Sequence, residues 1–487
     1  MTAEIAILNR TAVTLAADSA VTLTVRGRRK IYQSVDKIFE LSLDNPIALM
    51  IWNNLEYHRI PLDIIIRQFR ASISCRNFQT LFECADAFLD YLKSNVSIPD
   101  KIANAHVFGI VIDEFNSLRE KTFEALFDTI KERGNEEVNP KEVFLRIADE
   151  RIKELESLPV SDCFSDVNLS FIIDAHKNVL DAAARHVLGT EDNEDSQDNE
   201  DPRLERLRQL GALFLHRDIF SDKMTGLVFA GFGGNELFPS LQAVEIDGVI
   251  AGRLKQKLTH KTDIDRENRR NGGVEKRLVQ IIPFAQTDMA ERFLDGIDPR
   301  LEREIVRSVE RAHQTALEQF RTSHPELDQE VANKAADLFA TYLNETLKHF
   351  KDDALANHKA ALREEIEDMA LMMPKQELAF LAEAIINLTS IKRKVSGEEE
   401  SVAGPIDVAI ISKSDGLIWV KRKHYFDIQF NPRYLERIRA AITKRQRSTS
   451  HAEALDGDGA TTAPDSSHGL RPAPKRPRSR GRSSHPG

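Results

Sequence analysis

Thr2 holds, in a single residue, two groups that hydrolytic chemistry needs. Its side chain is small, so we expect methionine aminopeptidase to remove Met1 and leave Thr2 as the N-terminus. The hydroxyl of an N-terminal threonine is a nucleophile, and its own α-amine can accept the hydroxyl proton. A lysine nearby would repel the charged form of that amine and favour the alkoxide. Thr2 is therefore a candidate nucleophile for attack on a carbonyl carbon.

Other short patterns that could carry chemistry are incomplete. Ser34 and Lys37 match the S-x-x-K pattern of some serine nucleophiles, but the S-D-N and K-T-G segments that accompany it are missing. Gly231–Gly234 is similar to a dinucleotide-binding loop, but Glu236 replaces its last glycine and Pro239 stands where a helix should begin. The sequence has no P-loop pattern, no H-E-x-x-H and no cysteine–histidine cluster. It therefore predicts no cofactor and no metal.

The composition is that of a globular protein in a reducing compartment. The chain has 487 residues, 41% of them hydrophobic and 30% charged, with a net charge of −10. This acidic balance argues against nucleic-acid binding by the body of the protein. The three cysteines form no C-x-x-C pair, which is typical of a cytosolic protein. No apolar run is long enough to cross a membrane and no signal peptide is visible, so we expect a cytoplasmic location.

The elements that would position Thr2 begin directly after it. Glu4–Leu8 and Ala12–Ala16 predict two strands of a hairpin, which would hold the nucleophile rigidly. The segment 30–41 fits a helix or a strand equally well. Pro46–Trp52 is a continuous apolar run, typical of a fully buried strand. Pro61 is expected to begin a helix, whose apolar stripe is Leu62, Ile65, Ile66 and Phe69.

The rest of the chain predicts an α+β protein with a large insertion and a tail. A second helix is expected over 78–94, a mostly helical, charged stretch over 100–220, and further helices over 298–394. The acidic run Glu191–Asp201 predicts a mobile loop within that stretch. Strands are expected at 226–231, 241–250, 278–284, 406–411 and 416–420. From about residue 446 the composition predicts disorder. The domains are thus 1–99, the insertion 100–220, 221–445, and a tail 446–487.

Two basic segments raise the question of nucleic acid. The tail segment Arg471–Arg482 carries six basic residues and no acidic one, so it could touch nucleic acid or an acidic partner. A solvated tail is the simpler interpretation. Trp419 and the basic residues 421–424 are interpreted as edge-strand packing with a solvated rim.

The start of the chain resembles the proteasome-type N-terminal nucleophile (Ntn) hydrolases. The likeness is carried by Thr2, the segment Ala16-Ala-Asp18-Ser19 that follows sixteen residues later, and the segment Val35-Asp-Lys37-Ile38. Weaker similarity covers about half of the chain. The resemblance implies an αββα sandwich, in which two antiparallel sheets are flanked by helices. It also implies that Thr2 is the nucleophile, Lys37 the activating cation, and Asp18 the carboxylate that holds Lys37.

The resemblance also suggests supporting residues, where this sequence departs from the family pattern. Asn53 and Asn54 stand where the family has the oxyanion-hole glycine, and asparagine is the best substitute for glycine if the turn needs a positive φ. Thr287 is the hydroxyl that could replace the family's supporting serine. Ser401 falls near the late residues that orient the α-amine.

Two functions follow from the resemblance. The first is a threonine peptidase or amidohydrolase that acts on peptides or proteins, forms a homo-oligomer, and could work with an ATP-dependent unfoldase. The second is a catalytically inactive scaffold or assembly subunit with the same fold. The altered oxyanion turn favours the scaffold, whereas the combination of Thr2, Asp18 and Lys37 favours the enzyme.

Overall fold

A computed structural model describes most of the chain. The described residues are 2–25, 28–42, 44–73, 76–133, 138–189, 201–271, 274–323, 329–396, 402, 404–436 and 439–440. They form a mixed α+β protein in which helix predominates. By its contacts the chain divides into two units, Met1–Tyr425 and Phe426–Gly487. In the described part of the second unit, the Asp427 side chain caps a 3-10 turn, Ile428–Phe430.

Sixteen strands are described in the first unit. In chain order they are β1 Ala3–Leu8, β2 Val13–Ala17, β3 Val21–Val25, β4 Arg28–Tyr32, β5 Ile38–Ser42, β6 Ile47–Asn53, β7 Glu56–Tyr57, β8 Ile60–Pro61, β9 Thr225–Gly231, β10 Ser240–Ile250, β11 Arg253–Ile264, β12 Arg269–Asn271, β13 Val274–Arg277, β14 Gln280–Ala285, β15 Asp407–Ser412 and β16 Gly416–Lys421. The β1–β2 hairpin predicted from the sequence is confirmed. The ambiguous segment 30–41 contains the end of β4 and most of β5, joined by residues 33–37, which are neither helix nor strand.

The described helices alternate with groups of strands. They are α1 Leu62–Ser72, α2 Leu81–Ser94, α3 Asp100–Arg133, α4 Pro140–Ser157, α5 Leu169–Leu188, α6 Pro202–His216, α7 Asp288–Asp295, α8 Pro299–Ser323, α9 Gln329–His349, α10 Ala356–Met372 and α11 Lys375–Val395. Pro61 caps α1 rather than beginning it, while the four predicted apolar residues of α1 are all buried. α2 begins at Leu81 because the Thr80 side chain accepts a hydrogen bond from the Glu83 amide. None of the described helices is both long and apolar enough to span a bilayer.

Two sheets contain most of the described strands. Sheet 1 has the order β14-β1-β2-β15-β16, and sheet 2 has the order β12-β13-β11-β10-β9-β6-β5. The described pairs in both are antiparallel except β11 with β13. β11 was not predicted, because its charged sequence lacks an apolar alternation.

The two sheets and their helices form successive layers. Ala6, Leu8 and Leu15 of sheet 1 share one apolar cluster with Ala48 and Met50 of sheet 2. The opposite face of sheet 1 packs on α7, α10 and α11. The opposite face of sheet 2 packs on α1 and α2. β6 is therefore covered on both faces, which explains its continuous apolar sequence.

Helices α3–α6 have an apolar core of their own. Their segment corresponds to most of the predicted insertion. Most of the acidic run Glu191–Asp201 lies outside the described residues, as does the predicted tail 446–487. Asp201 itself is the N-cap residue of α6, and its side chain accepts a hydrogen bond from the Arg203 amide.

Three histidines bind the backbone around the β10–β11 turn. The Val249 amide donates to His58 Nε2 at 2.8 Å, and the Ala251 amide donates to His176 Nε2 at 3.0 Å. His106 Nε2 lies 2.8 Å from the Asp247 carbonyl oxygen. Because the Nε2 atoms of His58 and His176 accept these bonds, both rings are neutral. Burial, and secondarily the adjacent His106, lowers the pKa of His58 to about 4.

Acidification is expected to weaken this attachment. His58 protonates near pH 6.5 in the unfolded chain and near pH 4 in the folded protein, so the unfolded state binds more protons between these values. Its contribution is complete above pH 6.5 and is lost as the pH falls towards 4. His58→Gln keeps an acceptor that does not titrate, so its unfolding midpoint should fall less than that of the wild type from pH 7 to pH 4.5. Exposed His358→Gln is the control, and equal pH dependence of all three proteins would contradict the prediction.

Candidate active site

Thr2 is anchored by the backbone of three strands. The Gln286 amide donates to the Thr2 carbonyl at 3.0 Å, just beyond the pairing of β1 with β14. On the other side of β1, the Asp18 amide donates to the Ala3 carbonyl at 3.1 Å. The Ala3 amide donates to Asp18 Oδ1 at 3.2 Å. These bonds hold Thr2 between the chain after β2 and the chain after β14, and its side chain is buried.

Lys37 reaches this position from sheet 2. It precedes β5, and its carbonyl accepts a hydrogen bond from the Ile51 amide of β6 at 2.8 Å. Its ammonium lies 2.5 Å from Asp18 Oδ1. Asp18 also accepts from the Ala20 amide at 3.2 Å. The structure thus brings together Asp18 and Lys37, both only 1% exposed, across the two sheets.

Glu4 is the residue that the sequence analysis missed. Its Oε1 lies 3.0 Å from the Lys37 ammonium, and its Oε2 accepts a hydrogen bond from the Thr2 hydroxyl at 3.2 Å. The Glu4 carboxylate therefore links Thr2 to Lys37. The signal was present, because residues i and i+2 of a strand share a face and Glu4 is the one charged residue of β1.

The surroundings of Glu4 place its titration near neutral pH. Burial raises the pKa of Glu4 to about 7 and is the largest influence on it. The Lys37 ammonium acts in the opposite direction and lowers this pKa, whereas the Asp18 carboxylate raises it. A carboxyl group with a pKa near 7 can both accept and donate a proton at cellular pH. The site therefore contains a hydroxyl, a titratable carboxyl and a buried cation in contact.

Asn53 and Asn54 lie at the end of β6, on the strand that hydrogen bonds to Lys37. Asn53 has a φ of 66°, the positive value for which asparagine is suited. Its side-chain amide donates to the carbonyls of Asp222 and Met224 at 2.9 and 2.8 Å. The Asn54 side chain likewise donates from Nδ2 to the Lys223 carbonyl at 3.1 Å. Both side chains are thus occupied in holding the segment before β9, which leaves the backbone as the candidate oxyanion donor.

Thr287 follows the strand that pairs with the start of β1. Ala285 pairs with Ala3 and has a φ of 61°, an uncommon conformation for alanine. Thr287 occupies the N-cap position of α7, but its side chain makes no capping hydrogen bond to the helix. Its hydroxyl is therefore not used for capping the helix, although the adjacent residue Gln286 is bonded to Thr2.

The late acidic and hydroxyl residues are only partly described. Ser401 lies outside the described residues. The next acidic side chain, Asp407, is buried at the start of β15, where it pairs with Ala17 beside Asp18. Asp407 forms an ion pair with Lys423, which also lies 3.2 Å from Asp36. Asp36, Asp407 and Lys423 thus form a second charged group. It adjoins the first because Asp36 precedes Lys37 and Asp407 pairs with the residue before Asp18.

The competing sequence patterns have other roles in the structure. Ser34 is exposed whereas Lys37 is buried, which separates the two residues of the S-x-x-K pattern. Trp419 lies on β16, which is at one edge of sheet 1 in the part of the chain that is described. The Arg422 guanidinium is 4.5 Å from the centre of the Trp419 ring. Within the described residues, no group of three or more histidine, cysteine or carboxylate side chains is arranged to hold a metal ion.

Comparison with known proteins adds no relative. No protein-family model matches the chain, and no curated protein matches it. A function must therefore be inferred from the geometry of the site, which comprises Thr2, Glu4, Asp18 and Lys37.

Proposed function

We propose that this protein is a threonine-type peptidase or amidohydrolase, similar to the proteasome-type Ntn hydrolases. The order of layers supports this, since two sheets pack face to face and helices cover their outer faces. The observation that carries the proposal is the buried ion pair of Lys37 with Asp18, whose Oδ1 also accepts a hydrogen bond from the amide of Ala3, the residue after Thr2. Thr2, Asp18 and Lys37 come from three separate segments of the chain.

The proposed reaction begins with the Thr2 hydroxyl. With Met1 removed, Thr2 Oγ attacks the carbonyl carbon of a peptide while its α-amine accepts the hydroxyl proton. Lys37 stabilises the negative charge that develops, and Asp18 fixes Lys37 in place. Backbone amides near Asn53 and Asn54 would bind the oxyanion. The amine product leaves with a proton, and water then hydrolyses the acyl ester on Thr2.

Covalent labelling tests the proposal. The purified protein is incubated with a peptide β-lactone or epoxyketone, and its intact mass is measured. We expect removal of Met1 and a single adduct that maps to Thr2, because the Thr2 hydroxyl is hydrogen bonded to Glu4, which contacts the buried Lys37 ammonium. Thr2→Ala should abolish the adduct. Thr11→Ala, which removes an exposed threonine in the β1–β2 turn, should label like the wild type. Failure of the wild type to label, or a retained Met1, would overturn the enzymatic proposal.

The second candidate function is an inactive scaffold. It is favoured by exposed apolar side chains on α11, where Phe380, Ile391 and Val395 are 69%, 57% and 81% exposed. Exposed apolar patches often mark binding surfaces. A scaffold would not label but would assemble, and sedimentation analysis of the same preparation would detect this. A homo-oligomer and an ATP-dependent unfoldase partner are part of the proposal for the enzyme as well.

A further inference from the structure

We propose that Glu4 is a further catalytic residue, which takes the proton of the Thr2 hydroxyl during attack and delivers it to the leaving amine. This inference rests on the proposed role of Thr2 as nucleophile. It assigns to Glu4 the proton transfer that the α-amine would otherwise perform. Its basis is the hydrogen bond from Thr2 Oγ to Glu4 Oε2, 3.2 Å long and buried within the protein.

The orientation of Glu4 is fixed by the fold. Alternation along β1 directs Glu4 to the same side as Thr2, between the two sheets. The other carboxylate oxygen is 3.0 Å from the Lys37 ammonium. Lys37 is in turn held by Asp18. One oxygen of Glu4 is thus bound to the cation while the other faces the hydroxyl, which is the arrangement expected of a base that is held in position.

The charges around Glu4 suit a proton transfer. Two carboxylates, Glu4 and Asp18, both contact the ammonium of Lys37. If the Thr2 hydroxyl lost its proton while Glu4 stayed ionised, both carboxylates would repel the negative charge that forms on Thr2 Oγ. If Glu4 takes the proton, its charge disappears as the charge on the substrate oxygen forms. The net charge of the buried site then stays constant, and Lys37 becomes available to the new oxyanion.

The step balances without any other reactant. The Thr2 O–H bond breaks and the proton goes to Glu4 Oε2, while an Oγ–C bond forms and the carbonyl π electrons move to oxygen. When the intermediate collapses, the C–N bond breaks and the proton passes from Glu4 to the amine nitrogen. Glu4 returns to its ionised form and an ester remains on Thr2. The raised pKa of Glu4, about 7, is consistent with both transfers at neutral pH.

The test uses the rate of Thr2 labelling by a peptide β-lactone as a function of pH. Glu4→Gln keeps the size of the side chain but cannot accept the proton. We expect its labelling rate to fall roughly 10²–10⁴-fold, the usual contribution of a general base. We expect the wild-type rate to rise as the pH passes about 7, where Glu4 ionises, and we expect this rise to be absent from Glu4→Gln. Glu245→Gln is the matched control, since it changes a partly buried glutamate of β10 that is not in contact with Thr2.

The outcomes separate the two proposals. If the wild type labels and Glu4→Gln labels at the same rate with the same pH profile, Glu4 is not the base, while the peptidase proposal stands. If the wild type does not label, both proposals are overturned. If Glu4→Gln does not fold, the labelling rate and pH profile of Glu4→Asp are measured instead. This variant keeps a carboxylate, but its shorter side chain places the carboxylate farther from Thr2. A slower rate with a shifted pH profile supports the inference, and an unchanged profile overturns it.

Discussion

Lys37→Met is expected to lower the free energy of unfolding by about 3–5 kcal/mol, the usual cost of removing one partner of a buried ion pair. Lys37 is 1% exposed and contacts both Asp18 and Glu4, so its loss leaves two buried carboxylates without their cation. Under the proposed mechanism, the variant should also fail to label at Thr2. Urea unfolding followed by circular dichroism measures the first effect, and intact mass measures the second.

Two comparisons make this prediction specific. Lys334→Met removes an exposed lysine paired with Glu330, and it should change stability by less than about 0.5 kcal/mol. Without Lys37, the pKa of Glu4 loses the influence that lowers it and rises further, so protonation of Glu4 relieves part of the buried charge. The deficit of Lys37→Met should therefore shrink as the pH falls from 8 to 6, and Glu4→Gln should partly restore the variant. A midpoint equal to that of the wild type would contradict the buried ion pair.

Gly231→Ala is expected to destabilise the protein by about 2–6 kcal/mol, from backbone strain together with overpacking. Gly231 ends β9 with a φ of 143°, and a Cβ built there would lie 2.0 Å from the Pro46 carbonyl oxygen. The backbone cannot yield easily, because Gly231 also pairs with Ile47 and Ser240. Thermal unfolding measures the effect.

The control for this prediction is a glycine with a similar constraint on φ but free space around it. Gly252 has a φ of 75°, and a Cβ there would meet nothing within 4 Å. Gly252→Ala should therefore cost roughly 1–2 kcal/mol, the price of the left-handed conformation alone. If the two variants unfolded at the same temperature, the close approach of Gly231 to Pro46 would not be the cause of the larger destabilisation expected for Gly231→Ala.

Where the sequence contains a strong apolar pattern, it predicts the fold well. The β1–β2 hairpin, the buried strand β6 and the stripe on α1 follow directly from the spacing of apolar residues. β11 has no such pattern because charged side chains alternate along it, and its pairing with β10 is a tertiary property. Gly231, the first glycine of the segment similar to a dinucleotide loop, instead ends β9 and lets the backbone approach Pro46 closely.

The site could be predicted only in part for a related reason. Residue type suggests Thr2 as a nucleophile, whereas Asp18 and Lys37 are suggested by the resemblance to the Ntn hydrolases, and the structure brings Asp18 and Lys37 into contact. The sequence does not single out Glu4, because one acidic residue in a short apolar strand indicates no particular function until its contacts are known. Its value as a candidate base comes from burial and from Lys37, which directly precedes β5 of the other sheet.

The pairing of β1 with β14 has a consequence for biosynthesis. β2 follows β1 almost at once, so one edge of β1 can be satisfied early, but β14 is separated from it by more than half of the chain. Until the ribosome has made β14, β1 presents an apolar strand with one open edge, a feature that favours aggregation of nascent chains. Thr2, the proposed nucleophile, would accordingly acquire its final surroundings late in translation, so that under the proposed mechanism a truncated product would be inert.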